Sequence, residues 1–196
     1  IKYVHEIQHV IPSLQYDLKI HYHIREFVNK SNVLGRLGRL EKIMTAKEYI
    51  DTFIVKKTED EKAFVYLKKD IDEKDQIASL TDKQKFDYVI ICSEVEMAKY
   101  YTFFINSAIG KLFLLPDFKA NRLRGRTKIS QIKRLPIYYI DEYASGCIIL
   151  QTLIEYLLSY NRSIESLGDD VFPTIFNYFS SLRDSMVLEM VLPKLF

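Results

Sequence analysis

The chain has 196 residues, 48% hydrophobic and 13% aromatic, with 28 Lys and Arg against 26 Asp and Glu for a net charge of +2. That is enough apolar material for one large buried core, and 14 tyrosines with 12 phenylalanines exclude a disordered chain. No apolar run approaches the roughly 20 residues of a membrane-spanning helix, so no membrane partner is expected.

Residues 14–24 alternate apolar and polar side chains without a break, which predicts a strand. His21 and His23 share its polar face about 7 Å apart, but no cysteine or close acid completes a metal site, so they read as solvent-facing. A short helix is expected to Lys30. Residues 33–44 and 49–57 are strand candidates, and the polar stretch 58–61 joins the second to the strand 63–67 as a hairpin.

The apolar run 85–93 predicts another strand. Ser93 with Glu96 forms a capping box that opens a helix, whose face of Met97, Tyr101, Phe104, Ile105, Ala108 and Leu112 runs to about Leu114 ahead of Pro116. Gly110 is a cost within it. Next come the basic residues 119–134, with Gly125 permitting an unusual turn and Ser130 set to cap a short helix.

From residue 141 the pattern is helical. Ile148, Ile149, Thr152, Leu153, Tyr156 and Leu157 make one broad face, a break follows at residues 166–168, and a last helix runs from about Thr174 to Val191. The fold class expected is α+β: a β-rich domain over residues 1–140 and a helical unit over 141–196, packed on it through Leu153, Tyr156, Leu157, Phe176 and Phe179.

Cys92 and Cys147 lie in apolar surroundings without partners at metal-ligand spacing, and read as buried thiols of a reducing cytoplasm. The chain begins with Ile1 and shows no signal-peptide pattern there, so a fragment of a longer polypeptide is expected. For metal-dependent phosphodiester cleavage the nearest match is Asp87, Glu94, Glu96 and Lys99, whose spacing fits no such centre. There is no nucleophile elbow, and Gly35 and Gly38 lack the lysine of a phosphate-binding loop. No catalytic residue, cofactor or metal is expected.

The charge is unevenly placed. Residues 141–196 hold eight acids and three bases, whereas residues 119–134 hold seven bases (Lys119, Arg122, Arg124, Arg126, Lys128, Lys133, Arg134) and no acid. Arginines at alternate positions around Gly125 suit bidentate contact with phosphates or guanine edges. DNA contact is expected at Lys119, Arg122, Arg124, Gly125, Arg126, Thr127, Lys128 and Gln131. An acidic surface on a partner protein is the alternative for the same charges.

Four stretches in order, QYDLKIHY, VLGRLGRLEKI, AFVYLKKDID, and YTFFINSAIGKLFL followed by GRTKISQIKRLPI, resemble a known family. They are similar to the target-recognition domains of type I restriction-modification specificity subunits and to the C-terminal recognition regions of adenine-N6 DNA methyltransferases. The likeness spans about residues 13–138, and RDSMVLEMVLPKLF resembles the helical end of some methyltransferases. The resemblance implies a bacterial, non-catalytic DNA-recognition module on a mixed sheet, serving a catalytic methyltransferase region or subunit. Neither a methyl-donor glycine motif nor an Asn-Pro-Pro-Tyr motif occurs in the chain, so methylation by these residues alone is not expected. The resemblance also implies that Leu135-Pro136-Ile137 ties the basic segment to the core.

Overall fold

The computed structural model describes residues 32–33, 40–54, 62–71, 76–81, 86–114, 125–137, 140–163 and 171–192. The expected strand at 14–24 with its two histidines, the helix to Lys30 and the connection at 58–61 lie outside them.

The core element is an antiparallel sheet of β2 (Leu40–Thr45), β3 (Ala63–Leu67), β5 (Ala78–Ser79) and β6 (Tyr88–Cys92), in the order β2-β6-β3-β5. β3 and β6 are apolar almost throughout because both sheet faces are covered. Val65, Leu67, Ile90 and Cys92 point to the main core, while Tyr66, Val89 and Ile91 point to a second cluster with Met44 and Tyr49. Two short pairs flank the sheet: β1 (Asn32–Val33) with β8 (Pro136–Ile137), and β4 (Asp70–Ile71) with β7 (Gly125–Arg126). Every pairing among the described strands is antiparallel, where the resemblance implied a mixed sheet.

The second cluster is built by a segment expected to be a strand. Residues 46–54 are instead α1 (Ala46–Tyr49) continued by a π-helical turn (Ile50–Ile54). The cause is a capping box: Glu48 N–H donates to Thr45 Oγ1 at 3.3 Å, and Thr45 N–H donates to Glu48 Oε2 at 2.7 Å. The turn carries Tyr49 and Phe53 onto the sheet, where Tyr49 meets Phe64, Tyr66 and Phe86 edge-on at ring separations of 5.4–5.9 Å. Over the described residues 49–54 the expected strand of the hairpin is therefore helix instead, and β3 lies between β6 and β5.

On the opposite face lies α2 (Val95–Asn106), a helix buried almost all round, as one enclosed by other elements must be. Its cap residue is Glu94, one place later than expected, and Glu94 makes no side-chain cap bond. The helix also stops earlier than its apolar spacing predicts. Ser107 turns extended, with φ −68° and ψ 157°, and a separate α3 (Ala108–Leu114) follows.

Ser107 then caps the new helix by accepting Gly110 N–H at 3.0 Å. Gly110 sits against the end of α2 so closely that a Cβ would overlap the Phe104 carbonyl oxygen and lie 3.0 Å from Ile105 Cα. This residue is a packing requirement of the α2–α3 junction rather than a flaw in one long helix.

Beyond a short α4 (Ile129–Ile132), the chain ends in two long helices, α5 (Asp141–Ser163) and α6 (Val171–Val191). They pack on α2 and α3 and share one continuous core with the sheet, through Ala144, Cys147, Leu150, Ile154, Val187 and Val191. Asp184 on α6 reaches the start of α3, where its Oδ1 accepts Ala108 N–H at 3.0 Å. Phe176 and Phe179 pack against the core as expected. Tyr156 does not: it is 63% exposed, and Leu153 and Ile149 also face outward. The inward face of α5 is the one carrying Cys147, Leu150 and Ile154, about 140° round the helix from the face expected.

Candidate nucleic-acid interface

The basic segment enters the described structure at Gly125. There β7 pairs with β4, Asp70 opposite Arg126 and Ile71 opposite Gly125. Thr127 extends the ladder by donating its N–H to the Lys69 carbonyl at 2.8 Å, and its own carbonyl accepts the Tyr88 hydroxyl at 3.3 Å. Lys69 is in turn fixed by its N–H to Asp87 Oδ2, at 2.8 Å. The segment thus leans on β6 through Tyr88 and on the loop after β3 through Lys69.

α4 is organised by Gln131. Its Oε1 accepts Lys128 N–H at 2.6 Å and the Thr127 hydroxyl at 3.3 Å. That contact from the third helical residue back to the cap position does what Ser130 was expected to do; Ser130 lies inside the helix and is exposed. The chain then turns through exposed Lys133 and Arg134 and dives inward. Leu135 and Ile137 are fully buried, and β8 pairs with β1. The apolar ending thus anchors the segment in the core, as the resemblance implied.

The eight expected contact residues fall into three groups. Lys119, Arg122 and Arg124 lie outside the described residues. Thr127, 3% exposed, and half-buried Gln131 face inward and hold the backbone. Arg126 and Lys128 face solvent, beside the half-exposed backbone of Gly125.

Arg126 Nε donates to Asp70 Oδ1 at 2.9 Å, and the two side chains are 76% and 68% exposed. Lys133 and Arg134 are exposed just after α4 and were not singled out as contacts. Their signal in the sequence was their place in the run of seven bases, and α4 is what turns them outward.

The nuclease candidates do not converge. Asp87 is held by Lys69 N–H, Glu94 and Glu96 are exposed at the start of α2, and among the described residues no group of three His, Cys, Asp or Glu could hold a metal ion. Burial pushes the thiols of Cys92 and Cys147 up to about 12, so neither is a nucleophile at neutral pH. Among the described residues no helix is long and apolar enough to cross a membrane. Comparison with family models, with curated proteins and with solved structures finds no match to this chain.

Proposed function

We propose that this chain is a non-catalytic module that reads double-stranded DNA and positions the catalytic methyltransferase region or subunit of a restriction-modification system. The observation that carries the reading is Arg126. Its guanidinium stands 76% exposed on a backbone fixed by two strands and a core anchor, and it pairs with the exposed carboxylate of Asp70. An exposed ion pair contributes about 0–1 kcal/mol, so exchanging Asp70 for a phosphate costs little. Lys128, Lys133 and Arg134 supply further positive charge for register on the DNA backbone. Thr127 and Gln131 serve by holding these side chains in place.

The same Arg126–Asp70 pair favours a second reading, in which the tip meets an acidic patch on a partner protein that competes with Asp70 for the guanidinium.

Duplex binding measured by fluorescence anisotropy across a salt series, with competitor sequences, separates the two. Arg126→Ala with Lys128→Ala is expected to weaken binding and to lower the salt slope by about two, each lost phosphate contact removing about one released counterion. Stability should shift by no more than about 1 kcal/mol, because both side chains are exposed and the lost Arg126–Asp70 pair is a surface one. Gln131→Ala should weaken binding while leaving the slope nearly unchanged. Affinity and slope unaltered by the double substitution would move the assignment to the protein partner.

A further inference from the structure

The outer face of the α5–α6 pair is apolar over most of its length. On α5, Ile149 (69% exposed), Leu153, Tyr156 (63%) and Tyr160 recur at spacings of four, three and four, the period of a helix-pairing seam. On α6, Ile175, Tyr178 (66% exposed) and Leu182 do the same. Each helix therefore carries two seams, one turned to α2 and α3 and one turned to water.

The two outer seams lie side by side. Tyr143 Oη donates to Glu189 at 3.2 Å, a Cβ at Gly146 would meet Met186, and Cys147 Sγ lies 3.9 Å from Met190 Sδ. That antiparallel register brings Leu153 level with Leu182, Tyr156 with Tyr178, and Tyr160 with Ile175. The seven residues leave on the order of 700 Å² in water, tyrosine hydroxyls included, at the upper end of the roughly 300–600 Å² apolar patches of a typical monomer. It is close to the roughly 800 Å² that each partner contributes to a stable interface.

Charge decides what covers it. Among the described residues from Tyr143 to Tyr160 and from Phe172 to Leu188, no exposed position is charged. Glu155 is half-buried and accepts Gln151 Nε2 at 2.9 Å, Arg183 is 4% exposed, and Asp184 is tied to Ala108. Around the seams stand serines, threonines and an asparagine. A second copy brings the same uncharged apolar face, so pairing about a twofold axis buries no charge on either side that would lack a partner.

We propose that two copies of this chain pair through the α5–α6 face, packing two helical hairpins into a four-helix bundle about a twofold axis. The pairing is independent of the DNA reading and is measured without DNA.

Sedimentation equilibrium on the full chain should give about twice the 23.2 kDa chain mass at micromolar concentration, falling towards the monomer on dilution. Tyr156→Glu with Tyr178→Glu puts like charges into the seam and should weaken self-association at least tenfold, with the far-UV circular dichroism unchanged. Should that variant fail to fold, Tyr156→Ser with Tyr178→Ser removes the rings without adding charge and should weaken it in the same direction. A wild-type chain that stays monomeric up to high micromolar concentration would overturn the proposal, and so would a dimer that the folded variants leave intact. Occupation of the face only by a different polypeptide would appear as the first of these results.

Discussion

Asn106 and Ala78 are joined across the core by two hydrogen bonds: Asn106 Oδ1 accepts the Ala78 N–H at 2.9 Å, and Asn106 Nδ2 donates to the Ala78 carbonyl at 2.8 Å. The same Oδ1 accepts Ile77 N–H at 3.0 Å. Among the described residues β5 lies at the edge of the sheet with no strand on that side, and one buried amide from α2 supplies the pairing a neighbouring strand would give. With Ser107 capping α3 and Gly110 allowing its close approach, the whole Asn-Ser-x-x-Gly motif has work to do inside the fold.

Asn106→Ala leaves two amide N–H groups and a carbonyl without partners in the core. Each such group costs about 1–3 kcal/mol, and partial solvent entry recovers some of it, so a loss of about 3 kcal/mol or more is expected. Urea unfolding of both proteins measures it. A loss below about 1 kcal/mol would mean that β5 is held by β3 alone.

The two helical glycines of α3 and α5 should respond with opposite signs. In α3, Gly110→Ala sets a methyl group against the Phe104 carbonyl, a backbone group that cannot step aside, and overpacking of this kind costs about 1–3 kcal/mol or more. In α5, Gly146→Ala brings a Cβ to 3.3 Å from Met186 Cε, the free end of a flexible side chain. Helix propensity then dominates, and a gain of up to about 1 kcal/mol is expected. Thermal unfolding midpoints of the two variants, moving down and up from the parent, are the check.

The Thr45–Glu48 box carries a pH signature. The Thr45 backbone N–H, then its hydroxyl, hold the Glu48 carboxyl below its usual range. A lowered folded pKa means that the stabilisation is present above the unfolded value, near 4.3, and is lost as pH falls through the folded one. Thr45→Ala should cost about 1 kcal/mol at neutral pH and less once the pH is low enough to protonate the Glu48 carboxylate in the folded protein. In NMR titration the Glu48 carboxyl should move up in that variant. An unchanged titration would show that the cap is not formed in solution.

What the amino-acid sequence by itself determined is most secure where one pattern had one physical solution. The residues of β3 and β6 are continuous apolar runs of strand length, and they form the strands that both cores cover. The basic run is equally plain as composition, while the inward anchor at Leu135-Pro136-Ile137 was what the resemblance implied.

Where two signals competed, tertiary packing chose. Residues 49–57 have strand composition, yet Thr45 and Glu48 three positions apart spell a helix start, and the local cap won because the helix also buries Tyr49 and Phe53 on the sheet. In α5 two apolar seams run along one helix, and no periodicity can say which faces the core. That was settled by α2, whose side chains meet Leu150 and Ile154 rather than Leu153 and Tyr156. The same holds at the basic segment. Thr127 turns inward and Arg126 outward because β7 pairs with β4, a partner 56 residues away whose ladder sets the alternation of faces. Side-chain chemistry is written locally, but its direction depends on contacts the chain makes only after folding.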